Sequence, residues 1–128
     1  MDIKVTLGDN LKVNAQINGH TVYTDQPTRA GGDNSAPAPF DIFLASIATC
    51  SGIYVKSFCK SRNIDTSKIT LIQRHSFNQA KRLIDHIEIE VQLPDDFPEK
   101  YKPMIQNAIN HCAVKKHMMD PPEFSIKV

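Results

Sequence analysis

The sequence predicts an α+β fold built on antiparallel sheet, and three observations carry that reading. Segments of apolar alternation come in runs, three early in the chain and two after its middle, rather than in strict alternation with helices. Turn chemistry joins neighbours within each run, most clearly at Asn18-Gly19. Between the runs lies Pro39–Arg62, an apolar stretch with helical spacing and a cysteine, Cys50, near its centre. The predicted order is β-β-β-α-β-β-α-β.

The elements follow in turn. Ile3–Leu7 alternates lightly, Gly8-Asp9-Asn10 supplies turn residues, and Leu11, Val13, Ala15 and Ile17 alternate with polar neighbours as a half-buried strand does. Asn18-Gly19 tolerates positive φ, so a two-residue turn leads into a third strand over His20–Thr24. Asp25–Ala38 holds two prolines, a Gly-Gly pair and no apolar period, which makes it a loop. Pro39 suits the first turn of a helix, where its missing N–H costs nothing, and Asp41 places a negative charge at the positive end of the dipole. Phe43, Ile47, Cys50, Tyr54 and Phe58 form one stripe, which Leu44, Ala48 and Val55 widen; no charge occurs between Asp41 and Lys56. The helix should stop near Asn63, because Asp65, Thr66 and Ser67 offer local bonds that compete with it.

A looser strand over Ile69–Phe77 and a cleaner one over Ile84–Leu93 should pair as a hairpin through Asn78–Arg82. After Pro94–Pro98 a second helix is expected, with Tyr101, Ile105, Ala108, Ile109, Cys112 and Met119 roughly on one face and Pro103 marking a kink or a short preceding helix. Met118 and Met119 read either as lining a hydrophobic pocket or, in the favoured reading, as the end of that helix, which Pro121-Pro122 terminates. Phe124, Ile126 and Val128 read as a returning strand. At 128 residues the chain is expected to form one domain, 1–128. A helix apolar nearly all round exceeds what one small sheet can cover, so an obligate homodimer is expected.

Composition excludes more than it assigns. Lysine and arginine number 15 against 14 acidic residues, with no basic run or interleaved aromatic patch, so neither nucleic acid nor an acidic membrane is expected as a partner. The uncharged run is shorter than the ~18 residues of a membrane span and carries Ser46, Thr49, Ser51 and Gly52. The N-terminal MDIKVTLGDN lacks the basic start and apolar core of a secretory signal, and a cytoplasmic location is expected. Cysteines at 50, 59 and 112 form no CxxC, which removes thioredoxin-type and zinc-ribbon readings and leaves a long-range pair open.

Each candidate residue has an ordinary reading beside its chemical one. Cysteine is among the most buried residue types, so Cys50 and Cys112 read either as packing or as redox groups. Cys59, about two and a half turns after Cys50, points elsewhere and reads as packing. Asp41 reads as a helix stabiliser or a site group, and Arg29 as a solvated loop residue or a cation. His111 and His117 beside Cys112 have poor chelating spacing, so no metal is expected. Gly31-Gly32 lacks the frame of a phosphate loop and reads as the flexible approach to the helix.

Two blocks, GGDNSAPAPFDIFLASIATC and HCAVKKHMMDPPEF, resemble the OsmC/Ohr family of osmotically inducible and organic hydroperoxide resistance proteins. The resemblance covers nearly the whole chain. It implies an OsmC-like intertwined homodimer, with antiparallel sheets packed around two central helices and active sites at the subunit interface. It further implies that Cys50 attacks a hydroperoxide, that Cys112 resolves the resulting sulfenic acid to a disulfide, and that a dithiol restores the pair without metal or organic cofactor. The family's peroxidases place an arginine, held by an acidic residue at the helix start, beside the thiolate. Asp41 lies near the acidic position, one residue closer to the cysteine and shorter than the family's glutamate; no arginine precedes Arg29, which is the substitute candidate. Two functions therefore stand: a thiol-dependent peroxidase acting on organic hydroperoxides, and a non-catalytic dimeric ligand-binding or redox-sensing protein.

Overall fold

The computed structural model describes residues 1–128 and divides them into two compact units, Met1–Ala45 and Ser46–Val128. It is an α+β structure with two antiparallel sheets and three α-helices.

The first unit is a meander of β1 (Lys4–Leu7), β2 (Val13–Ile17) and β3 (His20–Thr24), paired antiparallel in that order. Asn18 and Gly19 adopt φ of 49° and 80°, the conformation that a two-residue hairpin turn requires and that these two residue types tolerate. The loop after β3 is organised by Asp25. Its fully buried carboxylate accepts hydrogen bonds from the Ser35 hydroxyl (2.6 Å), the Ser35 N–H (3.0 Å) and the Gln26 N–H (2.7 Å). These donors hold the carboxyl down at about 2. Lys12 pairs with Asp33 at 2.7 Å, and Asn10 donates to Asp33 (3.0 Å) and to the Gly31 carbonyl (3.1 Å), which ties the loop to the turn between β1 and β2. A Cβ at Gly32 would lie 2.0 Å from the Gln26 carbonyl oxygen, so only glycine fits there.

Helix α1 spans Pro39–Lys60 and crosses from the first unit into the second. Its end is a Schellman motif: Asn63 takes φ of 53°, its N–H bonds Lys60 O (3.3 Å), and the Ile64 N–H bonds Cys59 O (3.0 Å). The buried line along α1 is Ile47, Ser51, Val55 and Cys59. This differs from the expected stripe, since Phe43 is exposed and Cys50, Tyr54 and Phe58 are half-buried. A repeat of four turns about 40° further round the helix at each step, so the line slants away from Cys50 toward the C-terminus. Ser51 is accommodated by donating its hydroxyl to the Ile47 carbonyl (2.9 Å). The helix is long and apolar enough to cross a membrane, which alone is weak evidence, and its buried line accounts for part of that composition.

In the second unit β4 (Thr70–Asn78) and β5 (Leu83–Gln92) form the predicted hairpin, with an irregularity between Ser76 and Phe77. Val55, Cys59, Phe97 and Ile105 form its core, with Ile64, Leu71, Val91 and Ile109 among the side chains packed around them. Cys59 is fully buried there, as its packing reading requires.

The predicted second helix is two helices. After a 3-10 turn at Glu99–Tyr101, α2 runs Lys102–Ile109 with Pro103 in its first turn; the chain then turns at Asn110–Cys112 before α3, Ala113–Met119. Asn110 and His111 are weak helix formers, and Cys112 leaves helical geometry at ψ 118°. The strand expected over Phe124–Val128 does not form. The final residues have no regular structure, and Phe124 and Ile126 are about nine-tenths exposed. Alternation at three positions marks a strand only where a partner strand pairs with it, and neither sheet of this chain does.

Two outcomes test the loop. Its carboxyl titrates near 2 when folded and near 3.8 ordinarily, so the stabilisation from Asp25 is whole above about pH 4 and is lost as pH falls toward 2. Melting temperature in Asp25→Asn should be lower than wild type at neutral pH and should lack that part of the acid dependence. Gly32→Ala should cost on the order of 1–3 kcal/mol in chemical denaturation, through overpacking against Gln26.

Candidate active site

The sulfur of Cys50 lies close to the start of α3. That helix begins without a side-chain cap, because Cys112 at the capping position makes no such bond to the first amides. The backbone amides of Val114 and Ala113 and the Cys112 side chain lie close enough to Cys50 to influence its sulfur. All these groups belong to the Ser46–Val128 unit. The Val114 amide is the largest influence, and with the other two groups it lowers the Cys50 pKa against the opposing effect of burial. The amides at a helix start carry its positive partial charge, so they favour the thiolate over the thiol. For Cys59 the balance is reversed, and burial in the core pushes its thiol up.

Cys50 is half-buried and Cys112 fully buried; both are free thiols, near enough for Cys112 to influence the Cys50 pKa, with no disulfide between them. The structure thus brings the two predicted cysteines together. Arg29 and Asp41 belong to the Met1–Ala45 unit, the first exposed in a 3-10 turn at Thr28–Ala30 and the second exposed in the first turn of α1.

A cavity of about 390 Å³ opens in the second unit, lined by Ile47, Ile84, Ile87, Ile89, Met118 and Met119 with Asp85, His86 and Lys115 as its polar groups. Ile47 precedes Cys50 by three residues on α1, so one wall of the cavity lies a single turn from the thiol. Met118 and Met119 therefore line a pocket as well as end a helix, so both readings of the pair hold. The α3 amides were not visible in the sequence as site groups, because Cys50 lies far from the start of its own helix and the amides that influence it belong to residues more than sixty positions away. The signal available was the helix-breaking Asn110-His111 immediately before Cys112.

A model of the OsmC-like protein family matches residues 32–127. The chain belongs to the OsmC-like family. Members of the family are typically soluble. No curated protein matches the chain. Among solved structures, a protein of Psychrobacter arcticus described as an osmotic stress induced and detoxification response protein is 22% identical with a TM-score of 0.74, over 89% of this chain and 85% of that one. An OsmC-like protein of Mycoplasma pneumoniae is 14% identical with a TM-score of 0.72, over 94% and 87%. An organic hydroperoxide resistance protein OsmC of Legionella pneumophila is 15% identical with a TM-score of 0.55, over 91% and 87%. At these identities the likeness is one of fold, and it agrees with the OsmC-like assignment.

Alkylation should separate the thiols. The pH midpoint for iodoacetamide labelling of Cys50, followed by peptide mass spectrometry, should lie below that of an ordinary cysteine, while Cys59 stays unlabelled until the protein unfolds. Cys112→Ser should move the Cys50 midpoint if the S–H donor matters, and leave it in place if only the Val114 and Ala113 amides do.

Proposed function

We propose that this OsmC-like chain is a cytoplasmic, thiol-dependent peroxidase that reduces organic hydroperoxides as a homodimer. The observation that carries the reading is a half-buried Cys50 whose pKa is lowered by the Val114 backbone, against burial, and by a second free thiol, Cys112, close by. Family membership supports a redox-related role, and one structural neighbour is described as an organic hydroperoxide resistance protein.

The chemistry is that of two neighbouring thiols. Cys50 thiolate attacks the outer oxygen of R–O–O–H; the O–O bond breaks, RO⁻ leaves and takes a proton to become ROH, and Cys50 becomes the sulfenic acid. The Cys112 sulfur then displaces the hydroxyl as water and forms the Cys50–Cys112 disulfide. An external dithiol reduces it by exchange, returning two thiols. The step calls on no metal or organic cofactor. An apolar cavity one turn from Cys50 suits a hydroperoxide with a hydrocarbon body. The family resemblance adds Asp41 and Arg29 to the proposed set, as the carboxylate and guanidinium of the kind that the family's peroxidases use beside the thiolate.

Dimerisation is supported by the surface of α1. Only 22% of its most apolar window is buried within the chain, and Ile53 is 65% exposed. Apolar area of this kind is normally covered by protein. The same cavity favours a second reading, a dimeric ligand-binding or redox-sensing protein without turnover.

One experiment separates the two. A stoichiometric dose of cumene hydroperoxide should consume two thiols rapidly, with peptide mapping locating a Cys50–Cys112 link. Cys50→Ser should abolish turnover and leave folding and the dimer, measured by sedimentation, intact. Slow oxidation spread over all three cysteines would sink the peroxidase reading in favour of ligand binding.

A further inference from the structure

The apolar cavity of the second unit carries two thioethers in its wall. Ile47, Ile84, Ile87 and Ile89 supply hydrocarbon, and Met118 and Met119 complete the lining from α3. At about 390 Å³ the space is large enough for a compact apolar molecule. Isoleucine is inert to peroxides. A thioether is not, because its sulfur accepts an oxygen atom and the side chain becomes a polar sulfoxide. The chain's other methionines, Met1 and Met104, lie outside the lining and provide a comparison. Met1 and Met119 are 88% and 79% exposed, so any peroxide in solution reaches them. Met104, in the first turn of α2, and Met118 are alike at 42%, yet of these two only Met118 belongs to the cavity wall.

We propose that Met118 is an oxidation site of the cavity: an organic hydroperoxide held against the isoleucines transfers its terminal oxygen to the Met118 sulfur, and the sulfoxide so formed weakens the cavity's hold on further apolar molecules. The inference rests on the reading of this cavity as the place where an organic hydroperoxide binds. The step balances within the pair. The thioether lone pair attacks the terminal oxygen of R–O–O–H, the O–O bond breaks, and the terminal proton passes through water to the departing alkoxide oxygen. Sulfur is oxidised by two electrons and the peroxide is reduced to ROH. Binding raises the concentration of oxidant at Met118 above that in solution, which exposure alone does not do. A sulfoxide then sets a strong acceptor among isoleucines, where an apolar ligand offers it no donor. The site is self-limiting: under excess hydroperoxide it loses affinity for its own ligand, and reduction of the sulfoxide restores it.

Cys50→Ser protein suits the test, since it removes Cys50 as a competitor for the oxidant. Cumene hydroperoxide and hydrogen peroxide are compared at equal dose, with sulfoxide at each methionine read by peptide mass spectrometry. Met118 should gain oxygen about fivefold faster than Met104 with cumene hydroperoxide, and within about twofold of it with hydrogen peroxide, which has no apolar body to be held. Nile red should bind the cumene hydroperoxide-treated protein roughly tenfold more weakly than the untreated protein. Adding Met118→Leu, which keeps the volume without the sulfur, should abolish that loss on treatment. Equal rates at Met104 and Met118 with cumene hydroperoxide would overturn the proposal, as would dye binding unchanged by Met118 oxidation or a loss that persists in Met118→Leu. Thiol consumption in the wild type is read separately. Selective Met118 oxidation without thiol loss leaves the oxidation site standing and sinks the peroxidase reading, and rapid thiol loss without any Met118 preference does the reverse.

Discussion

A helix start without a cap of its own lies beside the sulfur of another helix, and the chemistry proposed for the site depends on that placement. The first amides of any α-helix need acceptors, and Cys112 provides none at the capping position of α3. The start of that helix lies close enough to Cys50, on another helix, for the Val114 and Ala113 amides to lower the Cys50 pKa. The arrangement favours the thiolate and sets a second thiol near the first. The amides that favour the thiolate belong to the start of a different helix in the same unit, whereas Cys50, in mid-helix, gains little from the dipole of its own.

Much of the fold was legible because its signals are local. Asn18-Gly19 specifies its own turn, Pro39 and Asp41 specify a helix start, and the alternation of Ile87, Ile89 and Val91 specifies a strand face, so the first five strands and α1 fall close to where they were expected. The errors share one cause. The break of the second helix at Asn110–Cys112 and the unpaired tail at Phe124–Val128 are decided by what lies opposite in space, which no local pattern encodes. The site divides the same way. Two cysteines could be nominated from spacing and resemblance, whereas the amides of Ala113 and Val114 could not, because every residue has an amide and only the fold selects which ones matter.

The Met1–Ala45 unit shows the same economy of means in a structural setting. A single buried carboxylate, Asp25, takes the place of regular secondary structure across a proline-rich loop, accepting from both ends of the segment it closes. Gly32 permits the close approach that this closure requires. The loop is therefore an ordered element, and the flexibility that its composition suggested is not needed to explain its glycines.

The slant of the buried line on α1 has a consequence for how many sulfurs the chain can carry. Under the peroxidase reading a third thiol is a hazard, since one within reach could capture the oxidised sulfur and lock it in a dead-end pairing. Here the same helix carries both Cys50 and Cys59, yet the burial that deepens toward its C-terminus seals the second completely. Cys112 is buried as fully as Cys59, so what separates the two is position: Cys59 is held about two and a half turns from Cys50 on one rigid helix and cannot reach it.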